Sequence, residues 1–315
     1  MSILVSVHMI SYNHEQYIRQ AIEGVLMQET LFNFELIISD DCSSDNTLEI
    51  IKEYRDRFPN IVNIVNREKN LGSLSNFIDT FSYCEGEYIA ICEGDDYWID
   101  PLKLQKQIAF LESNKDYGLV YTDSKVYYDS KKSFGILEKA KNRKQNFFED
   151  LISSTSDIYT LTVCFKKELI QKYIKEVDPI SKDWLMGDLP LWLFISSESK
   201  IHYIDEVSSV YRVLEESASN TKNISKHLAF RKSAFEIRLY FLEKYCPNNL
   251  KLKKDITSLY LYEQLVWNKV YNGTFKQFLQ FFYHFHLRNN NFRFFIGSFF
   301  QFIKKVKGEL RSKKL

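Results

Sequence analysis

At 315 residues, with 45% hydrophobic and 26% charged residues, the chain has ordinary globular composition and length for one large domain or two modest ones. A formal net charge of +1 excludes a protein that binds polyanions through its overall charge, so nucleic acid is not expected as a partner. The five cysteines, at 42, 84, 92, 164 and 246, show no Cys-x-x-Cys spacing, which argues against a zinc or disulfide scaffold and for reduced thiols in the cytoplasm.

The N-terminal MSILVSVHMISYNHEQ has no positively charged n-region and no small-residue cleavage site, so no signal peptide is expected. No run of about 18 apolar residues occurs, so no spanning helix is expected either.

Ile3–Ile10 is a compact apolar, β-branched run that predicts a buried parallel strand. Asn13 with Gln16 resembles a capping box, and Tyr17/Ile18, Ala21/Ile22 and Val25/Leu26 recur at helical spacing. FELIIS (Phe34–Ser39) is the second strand, and DDCSSDNT is a loop rich in capping residues. Leu48, Ile51 and Tyr54 begin the next helical stripe, Ile61–Asn66 reads as a strand, and Leu74, Phe77, Ile78 and Phe81 mark another helix. Tyr88–Cys92 is the fourth strand, and Asp100-Pro101 places a capping residue before a proline at the first helical position. Short strands follow at Tyr117–Thr122, Ile158–Phe165 and Ile201–Ile204, with a polar, basic loop over Asp129–Phe148. From about Asn223 onward only helical patterns appear, so the domains are drawn at residues 1–220 and 221–315.

Strands alternating with helices imply βαβ units, and ligands of such sheets sit beyond the carboxyl ends of the strands. The polar clusters Ser11-Tyr12-Asn13, Asp40-Asp41 and Glu93-Gly94-Asp95-Asp96 all follow strands, which predicts one shared site. Asp95 and Asp96 suit Mg²⁺ or Mn²⁺, which take carboxylates together with substrate phosphates. A solvated loop capping the helix at Pro101 is the alternative.

Three strings together resemble the family 2 glycosyltransferases: VSVHMISYNHEQYIRQAIEGVLMQ (Val5–Gln28), FELIISDDCSSDNTLEII (Phe34–Ile51) and GEYIAICEGDDYWIDPLKLQKQIAFLE (Gly86–Glu112). The resemblance spans roughly residues 2–215 and implies an α/β fold. That fold is a GT-A-like nucleotide-binding domain with a mostly parallel central sheet, followed by a helical C-terminal region. It implies an inverting enzyme that moves a sugar from a UDP-sugar to a hydroxyl of a glycan acceptor in surface polysaccharide biosynthesis. By resemblance Ile10 and Tyr12 lie at the nucleotide, with Tyr12 stacking on the base. Asp41 accepts from the uracil N3–H, as an ionised carboxylate can. EGDD stands at the DxD position, with Glu93 for the usual first aspartate, and Asp95 and Asp96 divide contacts to a Mn²⁺ or Mg²⁺ ion and the ribose.

SKDWLMGDLPLWLFIS contains Asp188, among apolar residues that would raise a carboxyl pKa toward the range of a general base. The residues alone favour a helix N-cap, whereas resemblance to the family's ED or GD motif before Leu-Trp implies the base; Asp183 is the fallback base. Trp184 and Trp192 are candidates for an acceptor platform or for core, and Trp98 is placed to contact a ligand. SSVYRVLEESASN resembles the family's YRxHxxSxS segment, with Leu214 at the histidine position and Arg212, Ser217 and Ser219 available to phosphates. Eleven phenylalanines between Phe275 and Ile303, followed by KKVKGELRSKKL, suit either an interfacial helix on anionic lipid or a helical subdomain. The first would fit a lipid-linked acceptor and a peripheral place on the inner membrane face. A nucleotidyltransferase and an inactive nucleotide-binding scaffold are the rival readings. SYNHEQ is not the Gly-rich phosphate loop of the first, and Leu214 favours the second.

Overall fold

A computed structural model describes residues 2–135, 147–154, 158–215 and 223–260. The stretch 261–315, Ser217, Ser219 and most of the basic loop lie outside the described residues.

The first half is a run of βαβ units. Strand β1 (Ile3–Ser11) leads to helix α1 (Ile18–Leu26), β2 (Asn33–Asp40) to α2 (Thr47–Arg57), and β3 (Val62–Asn66) to α3 (Ser73–Thr80) and then β4 (Tyr88–Ile91). These strands pair in parallel in the order β3-β2-β1-β4. The second half adds β5 (Tyr97–Trp98), α4 (Lys103–Ser113), β6 (Tyr117–Tyr128), β7 (Ser133–Phe134), α5 (Phe147–Ile152) and β8 (Cys164–Lys166). It continues with α6 (Lys167–Val177), α7 (Asp188–Glu198), β9 (Lys200–Val213) and α8 (Ile224–Tyr245). Here β8 is antiparallel to β4 and β6, β9 is parallel to β6, and β5 is antiparallel to β9. The sheet is therefore parallel where the sequence motifs lie and mixed beyond.

Period-2 alternation on the strands builds two cores. Val5, Val7 and Met9 of β1 and Leu36 and Ile38 of β2 pack with Ile18, Ile22, Ile51, Tyr54, Leu104 and Ile108 of α1, α2 and α4. The opposite face, with Ile37, Ile89 and Ile91, meets Phe77, Ile170, Tyr173, Leu191, Phe194, Ile237 and Phe241. Helices cover both faces, as a buried parallel sheet requires. Helix α8 of the C-terminal region thus packs into the same core as α7.

Several local expectations are revised. Asn13 does not cap α1: it sits at φ 56° and its Oδ1 accepts from the Ser44 N–H at 2.8 Å, bridging two loops instead. Pro101 precedes α4 in a turn, with Asp100 Oδ1 accepting from the Leu102 N–H at 3.0 Å. Only the end of the predicted strand Ile158–Phe165 is β; Thr160–Thr162 is a single 3₁₀ turn. Strands β6 and β9 run well past their apolar cores because they pair with each other.

Candidate active site

Parallel pairing of β2, β1 and β4 brings the polar clusters to one edge. The Gly94 N–H donates to the Ile10 carbonyl at 3.0 Å and the Asp41 N–H to the Ser11 carbonyl at 2.9 Å, so the three loops are laced together just past the strand ends. Gly94 is required by this closeness, since a Cβ there would stand 2.9 Å from His14 Nδ1 and from Ser11 Cβ.

Tyr12 projects from the edge with 48% of its surface exposed, a face free for stacking. Asp40 builds the next turn, its Oδ2 accepting from the Ser43 N–H at 2.9 Å. Asp41 is 3% exposed, and its two oxygens accept from the Leu71 and Gly72 N–H groups at 2.7 and 3.0 Å. Ile10 is half-buried beside them.

The acidic loop is crowded. Burial, then the charges of Asp95 and Asp188, push the Glu93 carboxyl up to about 8. Burial, then Asp95 and Glu93, hold Asp96 well above the usual carboxylate range, against the opposing pull of Arg212. The appearance of Asp188 among the neighbours of Glu93 is the key tertiary fact: the start of α7 faces the end of β4. Asp188 Oδ1 accepts from the Leu189 N–H at 2.7 Å and Oδ2 from the Thr160 hydroxyl at 3.2 Å, so the carboxylate is held at the helix N-terminus. Gly187 before it is needed because a Cβ would meet the Phe77 ring at 2.6 Å. Asp183 is exposed, and among the described residues no hydrogen bond ties it to this site.

Asp95 and Asp96 are unequal. Asp96 is 1% exposed and its Oδ1 accepts from the Arg212 main-chain N–H at 2.7 Å, so it turns into the protein. Among the described residues no group of three or more His, Cys, Asp or Glu side chains is arranged to hold a metal ion. Mn²⁺ and Mg²⁺ do not need one, because they take one or two carboxylates and complete their shell with water and phosphate oxygens. The half-buried Asp95, whose carboxylate has no hydrogen-bond donor among the described residues, fits that demand, and the mutual repulsion of the cluster favours a cation.

Two predicted ligand contacts are corrected. Trp98 is 1% exposed; its indole N–H donates to the Leu161 carbonyl at 2.8 Å and Lys103 Nζ covers its ring at 4.2 Å, so it is a strut inside the protein. Arg212 is 6% exposed: its guanidinium bonds the Asp95 carbonyl and Gln20 Oε1 and lies 5.2 and 4.5 Å over the Tyr17 and Tyr97 rings. It braces the acidic loop. Trp184 and Trp192 are core residues, packed on Phe241 and Phe165 respectively. Sequence reasoning missed Gln20, Tyr97 and Thr160, which carry no motif of their own and become visible only through their tertiary partners.

A family model described as glycosyl transferase family 2 matches residues 6–173. Over 125 residues the chain is 45% identical to an uncharacterized protein of Mycobacterium tuberculosis, covering 40% of this chain and 36% of that one, so it spans about a third of that relative's length. It is 29% identical over 222 residues to the UDP-Glc:alpha-D-GlcNAc-diphosphoundecaprenol beta-1,3-glucosyltransferase WfgD of Escherichia coli, covering 70% and 81%. Among solved structures it resembles S. aureus TarS in complex with UDP-GlcNAc, at a TM-score of 0.58 and 17% identity over 85% of this chain and 73% of that one. The mannosyltransferase PcManGT from Pyrobaculum calidifontis, in complex with GDP-Man and Mn2+, superposes at 0.55 with 13% identity, over 97% and 87%. At these identities the two structures speak to the fold.

Proposed function

The chain belongs to glycosyl transferase family 2, and from that premise we propose that it moves a sugar from a UDP-sugar to a hydroxyl of a glycan acceptor with inversion at the anomeric carbon, in surface polysaccharide biosynthesis. The observation that carries this reading is the meeting of Asp188 with the acidic loop of Glu93, Asp95 and Asp96, two elements about ninety positions apart in sequence. One holds a base and the other faces a diphosphate. The name of the E. coli relative, with its UDP-glucose donor and lipid-diphosphate-linked acceptor, supports the donor class and a lipid-linked acceptor.

In this reading the exposed ring of Tyr12 stacks on uracil and Asp41 accepts from its N3–H, using lone pairs beyond those engaged by residues 71 and 72. Ile10 lines the same end of the nucleotide. Asp95 would hold Mn²⁺ or Mg²⁺, which supplies neutralisation of charge on the departing diphosphate. Glu93 and Asp96 shape the loop and its field, and Arg212 holds Asp96 through its main-chain N–H and the Asp95 carbonyl through its guanidinium. Asp188 takes the proton of the acceptor hydroxyl as that oxygen attacks C1 from the face opposite the UDP. The base must be ionised to do so, and the Thr160 hydroxyl and Leu189 N–H favour that form.

We assign residues 1–220 to catalysis and 221–315 to acceptor or membrane-surface engagement. The basic and aromatic composition of the final stretch supports this, while α8 anchors the region to the catalytic core. Among the described residues no helix is long and apolar enough to cross a membrane.

Titration of the protein with UDP by calorimetry, once with Mn²⁺ and once with EDTA, tests the donor site. Metal-dependent binding supports the reading; binding of equal strength in EDTA would remove the cation from it, and no binding in either would overturn the nucleotide assignment.

A further inference from the structure

Asp188 is held by a turn that no motif marks. The 3₁₀ turn Thr160–Thr162 offers the Thr160 hydroxyl to Asp188 Oδ2 at 3.2 Å, while its carbonyls are held by other side chains. The Trp98 indole N–H donates to the Leu161 carbonyl at 2.8 Å, and Gln107 Nε2 donates to the Thr162 carbonyl at 2.8 Å. Lys103 Nζ donates to Gln107 Oε1 at 2.8 Å and lies over the Trp98 ring at 4.2 Å, which fixes both donors. Inside the turn the Thr162 hydroxyl donates to the Tyr159 carbonyl at 2.6 Å. Trp98, Lys103, Gln107, Leu161 and Thr162 are all fully buried.

Trp98 stands two residues after Asp96, and Lys103 and Gln107 lie on the helix that follows the acidic loop. The loop facing the donor diphosphate and the turn facing the base are thereby one hydrogen-bonded unit. Satisfying buried carbonyls would alone account for the bonds to Leu161 and Thr162. It does not account for the hydroxyl of the same turn pointing at a carboxylate at a helix N-terminus.

We propose that Thr160 is a positioning residue for Asp188, and that Trp98 ties its position to the acidic loop through the turn Thr160–Thr162. The inference rests on the reading of Asp188 as the base. The Thr160 hydroxyl fixes the orientation of the Asp188 carboxylate and favours its ionised form. The groups that face Asp188 include Glu93 from the acidic loop and the Tyr173 phenol from α6, both of which it influences electrostatically.

The test follows the Asp188 carboxyl by NMR in protein labelled with ¹³C-aspartate, its signal identified by its loss in Asp188→Asn. Thr160→Val keeps the shape and removes the donor; the Asp188 midpoint should rise by about one pH unit. Thr160→Ser should restore it. With UDP-glucose or UDP-GlcNAc as donor, UDP release by Thr160→Val should fall about tenfold while calorimetric affinity for UDP stays unchanged. Trp98→Phe, which removes the indole N–H along with part of the buried ring, should lower turnover without changing UDP affinity, and unchanged turnover would overturn the tie to the acidic loop.

An unmoved midpoint in Thr160→Val overturns the proposal, as does a midpoint that Thr160→Ser does not restore. Should Thr160→Val fail to fold, Thr160→Cys, of similar size and a much weaker donor, is read in the same way. If Asp188→Asn releases UDP as fast as the parent protein, the base assignment itself falls. If Asp188→Asn is inactive and Thr160→Val behaves as the parent, only the positioning role falls.

Discussion

The main-chain N–H of Arg212 lies 2.7 Å from Oδ1 of Asp96, and the Arg212 guanidinium bonds the carbonyl of the preceding Asp95. One residue at the end of β9 thus grips both aspartates of the acidic loop from behind. Removing its side chain leaves the Asp95 carbonyl and Gln20 without this donor and takes from the cluster a cation that opposes its repulsion. Arg212→Ala should lower stability by about 2 kcal/mol and weaken metal-dependent UDP binding about tenfold. Arg212→Lys should recover little, because an ammonium does not reproduce a planar fork held between two tyrosine rings. Denaturant melts and calorimetry on the three proteins check this.

The acidic loop carries a pH dependence whose sign is set by Glu93. Its folded pKa, about 8, is above the ordinary 4.5, so between those values the folded protein binds a proton that the unfolded chain has released. Stability of the cation-free protein should therefore fall as pH rises through that window. A cation reverses the repulsion, so Mn²⁺ with UDP should raise the melting temperature more near pH 8 than near pH 5 and should release protons on binding. Glu93→Gln should flatten the metal-free profile. Melts with EDTA and with Mn²⁺, across pH, provide the check.

Asp188→Asn keeps the size of the side chain and one acceptor oxygen for Leu189 or Thr160, but removes the base. Turnover should fall by about 10²–10⁴-fold with UDP affinity intact. Coupled UDP-release kinetics with calorimetry separate the two effects, and retained turnover would remove Asp188 from the chemistry.

Tyr12 is 48% exposed, so truncating it should cost little stability. Tyr12→Ala should nonetheless weaken UDP binding by about 1–3 kcal/mol, the range of a base–aromatic stack, and Tyr12→Phe should bind as the parent does. Equal affinity for the alanine variant would place the base elsewhere.

A second pH effect belongs to the core. His8 is fully buried on β1, with Nε2 2.9 Å from the Phe77 carbonyl and its ring stacked on Phe81, and burial lowers its pKa from 6.5 to about 4. The unfolded chain takes up this proton first, so stability is lost as pH falls from about 6.5 toward 4, by up to roughly 3 kcal/mol. In His8→Gln that part of the acid-side slope should disappear from the stability profile.

Much of this was legible in the sequence, and for identifiable reasons. The strands β1, β2, β3 and β4 are short apolar runs with helical stripes between them, so the local pattern and the tertiary environment agree. Because parallel strands put all their carboxyl ends on one edge, the order of strands alone places the clusters at Ser11, Asp40 and Glu93 together. The later strands were less legible. The run Ile158–Phe165 is apolar enough for a strand, yet residues 160–162 form a turn, with the Leu161 and Thr162 carbonyls taken by Trp98 and Gln107 instead of a neighbouring strand.

The sequence by itself determined the α/β order, the polar edge and the family, because these follow from periodicity and from motifs whose residues are near neighbours in the chain. Tertiary structure alone decided which aromatic and charged residues face the site. Trp98 and Arg212 sit beside the acidic loop in sequence or by motif, yet both are turned inward and hold the loop and the 160–162 turn. Thr160, with no motif at all, reaches Asp188. The direction of a side chain at a loop is set by partners that are far away in the chain, and no local pattern records them.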